Sequence, residues 1–472
     1  MRVCLPGNLY FFDMKTRVLF IALLALCAGV STSAQENSFV HKMSDGYEWP
    51  TDSAVLEKLD AWQDLKFGVL LTWGIYSVPG IVESWALCSE DHSWNRRPDG
   101  SNYDEFKKWY WGLSKEFNPV DFNPDQWAQV FKDAGMKYMV FTTKHHDGFC
   151  LYDSEYTDFS IAKAGSFAGN PKADAARWVF DAFRAQGFMT GAYFSKPDWH
   201  CEWFWNPYFA TPNRRINYNK DKHPDWWDNY VAFTKNQLAE ITGGRFGKLD
   251  ILWLDGGWVA GDLVGLNEVL PEARRVSPGL ICVDRTIKGP NENYQTPEQK
   301  IPAGQIDHPW ESCITLTADW GWHPGSPYKS VRKVLSILAE IAAKGGSLLL
   351  GVGPTPTGII EEQTVAVLEE IGEWMKRCGE AVYNTRITPV YNDGDLWFTA
   401  SKDGKTIYAI YALPDGETLP ATLEWKGNLP LKGCVTLLNN GKKLKAVVKD
   451  GEVILKLPKG LKQEPLALKF RI

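Results

Sequence analysis

The chain has 472 residues, 44% hydrophobic and 23% charged, with a net charge of −6. That length exceeds one ordinary core, so two domains are expected, and the composition is that of a soluble globular protein. The acidic balance leaves no basic footprint, which excludes nucleic acid as an expected partner.

Tryptophan stands out with 22 copies. Indole faces stack on sugar C–H faces or fill a core, and composition leaves these two readings level. At the N-terminus, Lys15 and Arg17 precede the apolar run Val18–Val30 and then the small polar residues from Ser31 to Ala34. This is the pattern of an export signal cleaved near Ala34, so residues 1–35 read as signal peptide and leader of a secreted or periplasmic protein. Cys27 follows the bulky Leu26, where a lipoprotein signal wants a small residue, so a lipidated form is disfavoured. The run is too short for a stop-transfer helix, and no second stretch approaches spanning length, so no integral membrane span is expected. Of nine cysteines, Cys4 and Cys27 lie in the signal region, and the other seven include no Cys-x-x-Cys pair. Buried free thiols are expected, not a disulfide framework or a cysteine-built zinc site.

Residues from Glu36 to Asp60 read as a polar lead-in. Beyond them, short apolar strands alternate with amphipathic helices. Strands are expected at Lys66–Trp73, Lys137–Thr143, Phe188–Phe194, Leu249–Leu254, Leu280–Asp284 and Ser347–Gly351. Helices are expected at Asn123–Ala134, Asp174–Gln186, Trp226–Thr242, Leu263–Arg275 and Ser330–Ala343, with a last one ending near Gly379. Repeated strand–helix units point to a parallel sheet, and no Gly-x-Gly-x-x-Gly turn follows the first strand. The expected fold is therefore α/β, with a (β/α)8-type barrel catalytic domain over residues 36–385. From residue 386 to 472 the pattern becomes short alternating strands. Asp393-Gly394, Asp403-Gly404, Asn440-Gly441 and Asp450-Gly451 supply the turns. This segment reads as a small C-terminal all-β sandwich domain, accessory in role.

Barrel chemistry sits at the C-terminal ends of strands. Three such places carry reactive groups. The strand Leu249–Leu254 ends in Asp255 followed by Gly256-Gly257, where glycines let a substrate approach closely; a turn-capping Asp is the plain alternative. The strand Lys137–Thr143 runs into Lys144-His145-His146-Asp147-Gly148. Adjacent side chains on a strand face opposite ways, so both imidazoles reach one ligand only if the chain leaves the strand there. Metal binding competes with hydroxyl recognition at these histidines, but no third ligand follows at metal spacing, and neither a metal nor another cofactor is expected. The third place runs from Asp284-Arg285 to Glu298, a loop carboxylate held after Pro297. Two carboxylates on separate loops are what glycosidic cleavage requires, one to attack and one to deliver a proton.

These segments resemble the α-L-fucosidases of glycoside hydrolase family 29. The resemblance is carried, in order, by Lys66–Pro79, Phe122–Trp127, Ala134–Asp153, Gly191–Trp199, Leu252–Trp258, Tyr294–Pro302, Pro309–Cys313 and Lys344–Pro354. It implies a retaining exo-glycosidase that removes terminal α-L-fucose from oligosaccharides or glycoconjugates. Asp255 matches the nucleophile and Glu298 the acid/base, with Glu311 as the alternative acid/base. The resemblance implies that Thr72, Trp73, His145, His146, Tyr193, Trp253 and Arg285 bind the substrate. The Tyr-Gln-Thr-Pro-Glu-Gln form at Tyr294–Gln299 resembles the branch of the family that prefers α-1,3/1,4-fucosylated glycans. One departure stands out: Thr72-Trp73-Gly74 occupies the place of a family His-Trp-Gly or His-Phe-Gly, and threonine has one hydroxyl and a shorter reach than imidazole. A glycosidase for a related sugar, or a non-catalytic glycan-binding protein on the same fold, are the other readings. The separation of the two carboxylates discriminates between an enzyme and a binding module.

The signal pattern makes its own prediction. N-terminal sequencing of the exported protein is expected to begin near Gln35, and a mature chain retaining Val18–Val30 would contradict it.

Overall fold

The computed structural model describes residues 44, 46–88, 102–211 and 213–472. The expected export signal, with Cys4 and Cys27, lies outside these residues. Seven strands form one wholly parallel sheet: β1 Phe67–Leu71, β2 Tyr138–Lys144, β3 Met189–Ser195, β4 Ile251–Asp255, β5 Ile281–Asp284, β6 Glu311–Thr315 and β7 Ser347–Val352. Their order is β5-β4-β3-β2-β1-β7-β6. The sheet is buried on both faces, as parallel sheets with crossover helices are.

The sheet curls into a barrel that is open between its edge strands β5 and β6. Residues 293–299 run through that opening. Asn293 N–H donates to Cys282 O (2.8 Å), and on the other side Glu311 N–H donates to Gln295 O (2.8 Å) and Gln299 N–H to Cys313 O (2.9 Å). Parallel bridges at Gln295–Trp310 and Glu298–Cys313 complete the seam. The segment thus pairs along the β6 edge and, at Asn293, with the β5 edge, and the expected (β/α)8-type architecture is reached with seven regular strands.

The lower end of the barrel is closed by a helix, α1 Ser53–Leu65, which corrects the expectation of a polar lead-in up to Asp60. Val55, Leu59 and Trp62, spaced four and three residues apart, fall on one helical face. They pack with Leu70, Tyr138, Ile281, Tyr294 and Leu349 in the barrel interior. Asp52 caps the helix, accepting from Ala54 N–H (2.8 Å). The helix Tyr103–Glu116 and strand β6 were also not expected. The first lies between polar segments.

The residues before α1 strap the foot of the closing segment. Gln295 Nε2 donates to Ser44 O (3.1 Å) and Gly46 O (3.2 Å), and the Tyr47 hydroxyl donates to Asn293 O (2.7 Å). Tyr47 also stacks on His308, centroid to centroid 4.5 Å.

Beyond the helix Glu362–Cys378 the chain is antiparallel. One sheet runs, in spatial order, Lys442–Lys445 (β14), Cys434–Leu437 (β13), Leu466–Arg471 (β17), Thr406–Tyr411 (β11), Leu396–Ser401 (β10) and Thr385–Arg386 (β8), with Asn392–Asp393 (β9) on β10, and a second runs Thr422–Lys426 (β12), Glu452–Lys456 (β16) and Val447–Lys449 (β15). The main strands are β10 Leu396–Ser401, β11 Thr406–Tyr411, β13 Cys434–Leu437, β16 Glu452–Lys456 and β17 Leu466–Arg471. Leu396, Phe398, Trp425, Val453, Leu455 and Leu468 form a core between the sheets. Tyr408, Ile410 and Ala467 belong instead to the core of the barrel's helical layer, so the two parts are packed together. Cys150, Cys201, Cys282, Cys313 and Cys378 are buried cysteines outside any disulfide, Cys88 is buried, and Cys434 is exposed.

The barrel floor leaves no slack. A Cβ on Gly68 would lie 2.5 Å from the ring of Tyr138 on the neighbouring strand. Gly68→Ala is expected to destabilise the fold by about 1–3 kcal/mol, as overpacked cores do, read as a lowered midpoint in urea unfolding. An unchanged midpoint would show that the floor can relax.

Candidate active site

At the upper, C-terminal rim of the sheet, four strand ends and the closing segment converge. Asp255 is the last residue of β4. Its successor Gly256 has φ 84°, a conformation that favours glycine, and a Cβ there would lie 2.2 Å from Pro197. That turn brings Gly256 N–H onto Asp255 Oδ1 (2.7 Å). The other oxygen, Oδ2, accepts from the Tyr193 hydroxyl (2.6 Å) and lies 3.5 Å from His146 Nε2.

Arg285, one residue past β5, reaches across the site. Its Nη1 is 3.5 Å from Asp255 Oδ1, and its Nη2 donates to Glu298 Oε2. One buried guanidinium therefore bridges the two carboxylates. Burial works against its charge, but the carboxylates of Glu298 and Asp255 outweigh that and hold its pKa above the ordinary value. Glu298 is half-buried. Burial, and after it the charge of Asp255, push the Tyr193 phenol well above its usual value, which keeps it a donor.

His145 and His146 lie just beyond the end of β2, and leaving the strand there puts both rings on the pocket side, 4.5 Å apart. His145 stacks over Tyr193 at 5.8 Å, and its Nδ1 is hydrogen-bonded to the Ser84 hydroxyl. His146 is surrounded by Trp85, Trp199 and Trp258, each with its ring centroid 5.1 Å away. Thr72 is buried, with its N–H on Val352 O (3.1 Å).

Two expected residues lie elsewhere. Trp73 packs outward with Phe117, Phe122 and Trp127, and its Nε1 donates to Thr355 O (2.9 Å). It belongs to the helical layer because consecutive strand residues alternate faces, so it is not in the pocket. Glu311 begins β6 at the lower end, fully buried. It accepts from Trp253 Nε1 (3.1 Å) and from the Tyr138 hydroxyl (2.8 Å). Burial pushes its carboxyl up to about 7, against the pull of those hydrogen bonds and of Arg285. Trp253 itself is a buried floor residue beneath Arg285 and beside Tyr193.

The pocket residues that sequence reasoning did not single out are Ser84, Trp85, Trp199 and Trp258. Trp199 and Trp258 end matched segments and were within reach. Ser84 and Trp85 arrive on a loop with no strand–helix pattern to place them. Two buried ion pairs brace the rim: Lys144–Asp198 (3.0 Å) and Lys196–Asp284. Asp284 also accepts from Gly261 N–H (2.9 Å), ordering the loop after Asp255.

A model of the alpha-L-fucosidase family matches residues 34–380. Plasma alpha-L-fucosidase of Homo sapiens is 30% identical over 385 residues, spanning 76% of this chain and 77% of that one. Alpha-L-fucosidase isoenzyme 1 from Paenibacillus thiaminolyticus superposes with a TM-score of 0.73 at 26% identity, over 89% of this chain and 99% of the other. The alpha-fucosidase of Thermotoga maritima, solved in complex with fucose, gives 0.71 at 26% identity, over 90% and 100%.

The histidine pair yields a pH prediction. Burial pushes the His145 imidazole down to about 4, against the opposing charge of Asp255. Between that value and the unfolded value near 6.5 the unfolded chain holds the extra proton. The His145 contribution to stability is thus complete above about pH 6.5 and is lost as pH falls through about 4. Glu311, raised to about 7, acts oppositely, its contribution fading as pH rises through that value, so His145 must be read directly. In ¹⁵N-histidine NMR its ring is expected to stay neutral at pH 5.5. A midpoint near 6.5 at a resonance lost in His145→Gln would contradict this.

Proposed function

The chain belongs to the alpha-L-fucosidase family and is a glycoside hydrolase acting on fucosides, and from that premise we propose that it is a retaining exo-enzyme with Asp255 as nucleophile and Glu298 as acid/base. The observation that carries this reading is the Arg285 guanidinium bridging the two carboxylates. A shared fork fits the separation of about 5–5.5 Å needed for direct attack and a covalent intermediate.

In this mechanism Asp255 attacks the anomeric carbon while Glu298 protonates the departing oxygen. The Tyr193 hydroxyl and Gly256 N–H hold Asp255 oriented for attack. Glu298 then takes a proton from water as the glycosyl–Asp255 ester is hydrolysed. His145 and His146, with the indoles of Trp85, Trp199 and Trp258 around them, hold the hydroxyls and the apolar face of the sugar. Thr72 offers one shorter hydroxyl where the family usually has an imidazole, which shortens or removes one sugar contact. Glu298 is preferred to Glu311 as acid/base because both oxygens of Glu311 are engaged by Trp253 and Tyr138.

The proposal extends to organisation and location. Residues 36–385 carry catalysis, and 386–472 form an accessory β-sandwich. The N-terminal 35 residues direct export, so the substrate is a fucosylated glycan met outside the cytoplasm. No helix among the described residues is long and apolar enough to cross a membrane.

Asp255→Ala is expected to abolish turnover, with azide restoring it as an external nucleophile. Glu298→Ala is expected to spare aryl fucosides with good leaving groups far more than natural glycans, since only poor leaving groups need the proton. NMR of the first-formed product decides the stereochemistry: retained α-fucose is expected, and an inverted product would remove the covalent role of Asp255.

A further inference from the structure

Glu311 takes no part in the chemistry above, yet it is a fully buried carboxyl inside the barrel. A buried carboxylate is costly unless hydrogen-bonded, and here both oxygens are engaged, one by the Tyr138 hydroxyl and one by the Trp253 indole N–H. The tether to Trp253 is the consequential one. Trp253 and Asp255 are two residues apart on β4, so they share a face, with Trp253 one layer below. The Arg285 guanidinium lies 5.0 Å from the centroid of the Trp253 ring. Tyr193 stacks on the same ring at 5.4 Å, with planes 21° apart.

The indole is therefore the platform for both groups that orient the carboxylates. Arg285 touches Asp255 and Glu298, and Tyr193 donates to Asp255. An indole in an apolar layer has one polar handle, its Nε1–H, and securing that handle selects one ring orientation. We propose that Glu311 is a positioning residue for the reaction: through Trp253 it sets the plane on which Arg285 and Tyr193 rest, and so the alignment of both catalytic carboxylates. The inference rests on the reading of Asp255 and Glu298 as the catalytic pair.

The test is a double-mutant cycle on the full chain, using aryl α-L-fucosides whose leaving groups span a range of acidity. Glu311→Leu removes the tether. Glu311→Gln keeps one acceptor for the indole while removing the charge. Trp253→Phe keeps a ring and removes the handle. Glu311→Leu is expected to lower kcat roughly 10- to 100-fold, the scale of a small misplacement of reacting groups. KM should change little, the loss should not depend on the leaving group, and azide should give no rescue. Glu311→Gln should lose less. In the Trp253→Phe background, Glu311→Leu should cost almost nothing further, because the handle it secures is gone. Near-UV circular dichroism checks that each variant is folded. Should the Leu variant fail to fold, the Gln variant in both backgrounds completes the cycle. Losses that multiply, or an unchanged kcat in a folded Glu311→Leu, would overturn the proposal. So would a loss that grows with poorer leaving groups and is rescued by azide, which would make Glu311 the acid/base itself. Asp255→Ala run alongside separates the two readings: turnover retained there sinks the catalytic pair. A dead Asp255→Ala with an unaffected Glu311→Leu sinks only the positioning role.

Discussion

Everything at the barrel mouth depends on the Arg285 guanidinium between Asp255 and Glu298. Two carboxylates brought into one small, partly dehydrated volume repel each other, and a buried guanidinium alone is costly. Together the three offset one another, with the planar fork offering one nitrogen to each side. The arrangement is anchored from beneath, because the guanidinium lies over the indole of Trp253. Losing either carboxylate would leave a buried positive charge partly uncompensated, so the geometry of the pair and the stability of the mouth are coupled.

The barrel is not closed by a regular strand. Residues 293–299 fill the space between β5 and β6 with an irregular strand paired on both sides. Its lower half is fastened by Ser44, Gly46 and Tyr47 and by the stacked pair Tyr47–His308. Its upper half ends in Glu298, facing Arg285. A regular strand would hold Glu298 in a fixed alternation with its neighbours, whereas an irregular one, fixed at its foot, can turn the carboxylate toward the mouth and leave it half-exposed. The same segment thus completes the sheet and supplies a functional group.

The remaining polar groups of the site are held by pairing rather than by solvent. Lys144–Asp198 and Lys196–Asp284 lie just outside the pocket and fix the turns after β2, β3 and β4. Within it, Ser84 holds His145, and Tyr193 holds Asp255. Much of the tryptophan excess goes to this scaffold: Trp62, Trp73, Trp127 and Trp253 are buried packing residues, while Trp85, Trp199 and Trp258 surround His146. Core filling accounts for the first group, and the second lines the candidate site.

Local chemistry made much of this legible in the sequence. Strand–helix alternation and the Asp-Gly and Asn-Gly turns identified a parallel barrel followed by an antiparallel module, because residue period and turn preference are short-range properties. Asp255, Arg285 and the His145-His146 pair were visible as polar groups ending apolar strands. Other features were settled only in three dimensions. Trp73 and Thr72 are neighbours in sequence, but strand alternation sends one into the helical layer and the other toward the mouth. Glu298 and Glu311 were both candidates, thirteen residues apart, and which of them meets Asp255 depends on the register of the closing segment against β5 and β6. In the helix Ser53–Leu65 the buried face is Val55, Leu59 and Trp62, and it counts as core only once the barrel floor is there to receive it. Ser84 and Trp85 reach the site on a loop whose course is set by contacts with distant residues. Pattern along the chain determines which elements form and which residues end them, whereas the direction a side chain faces, and the partner it meets, depend on strand register and loop path, which arise from long-range packing.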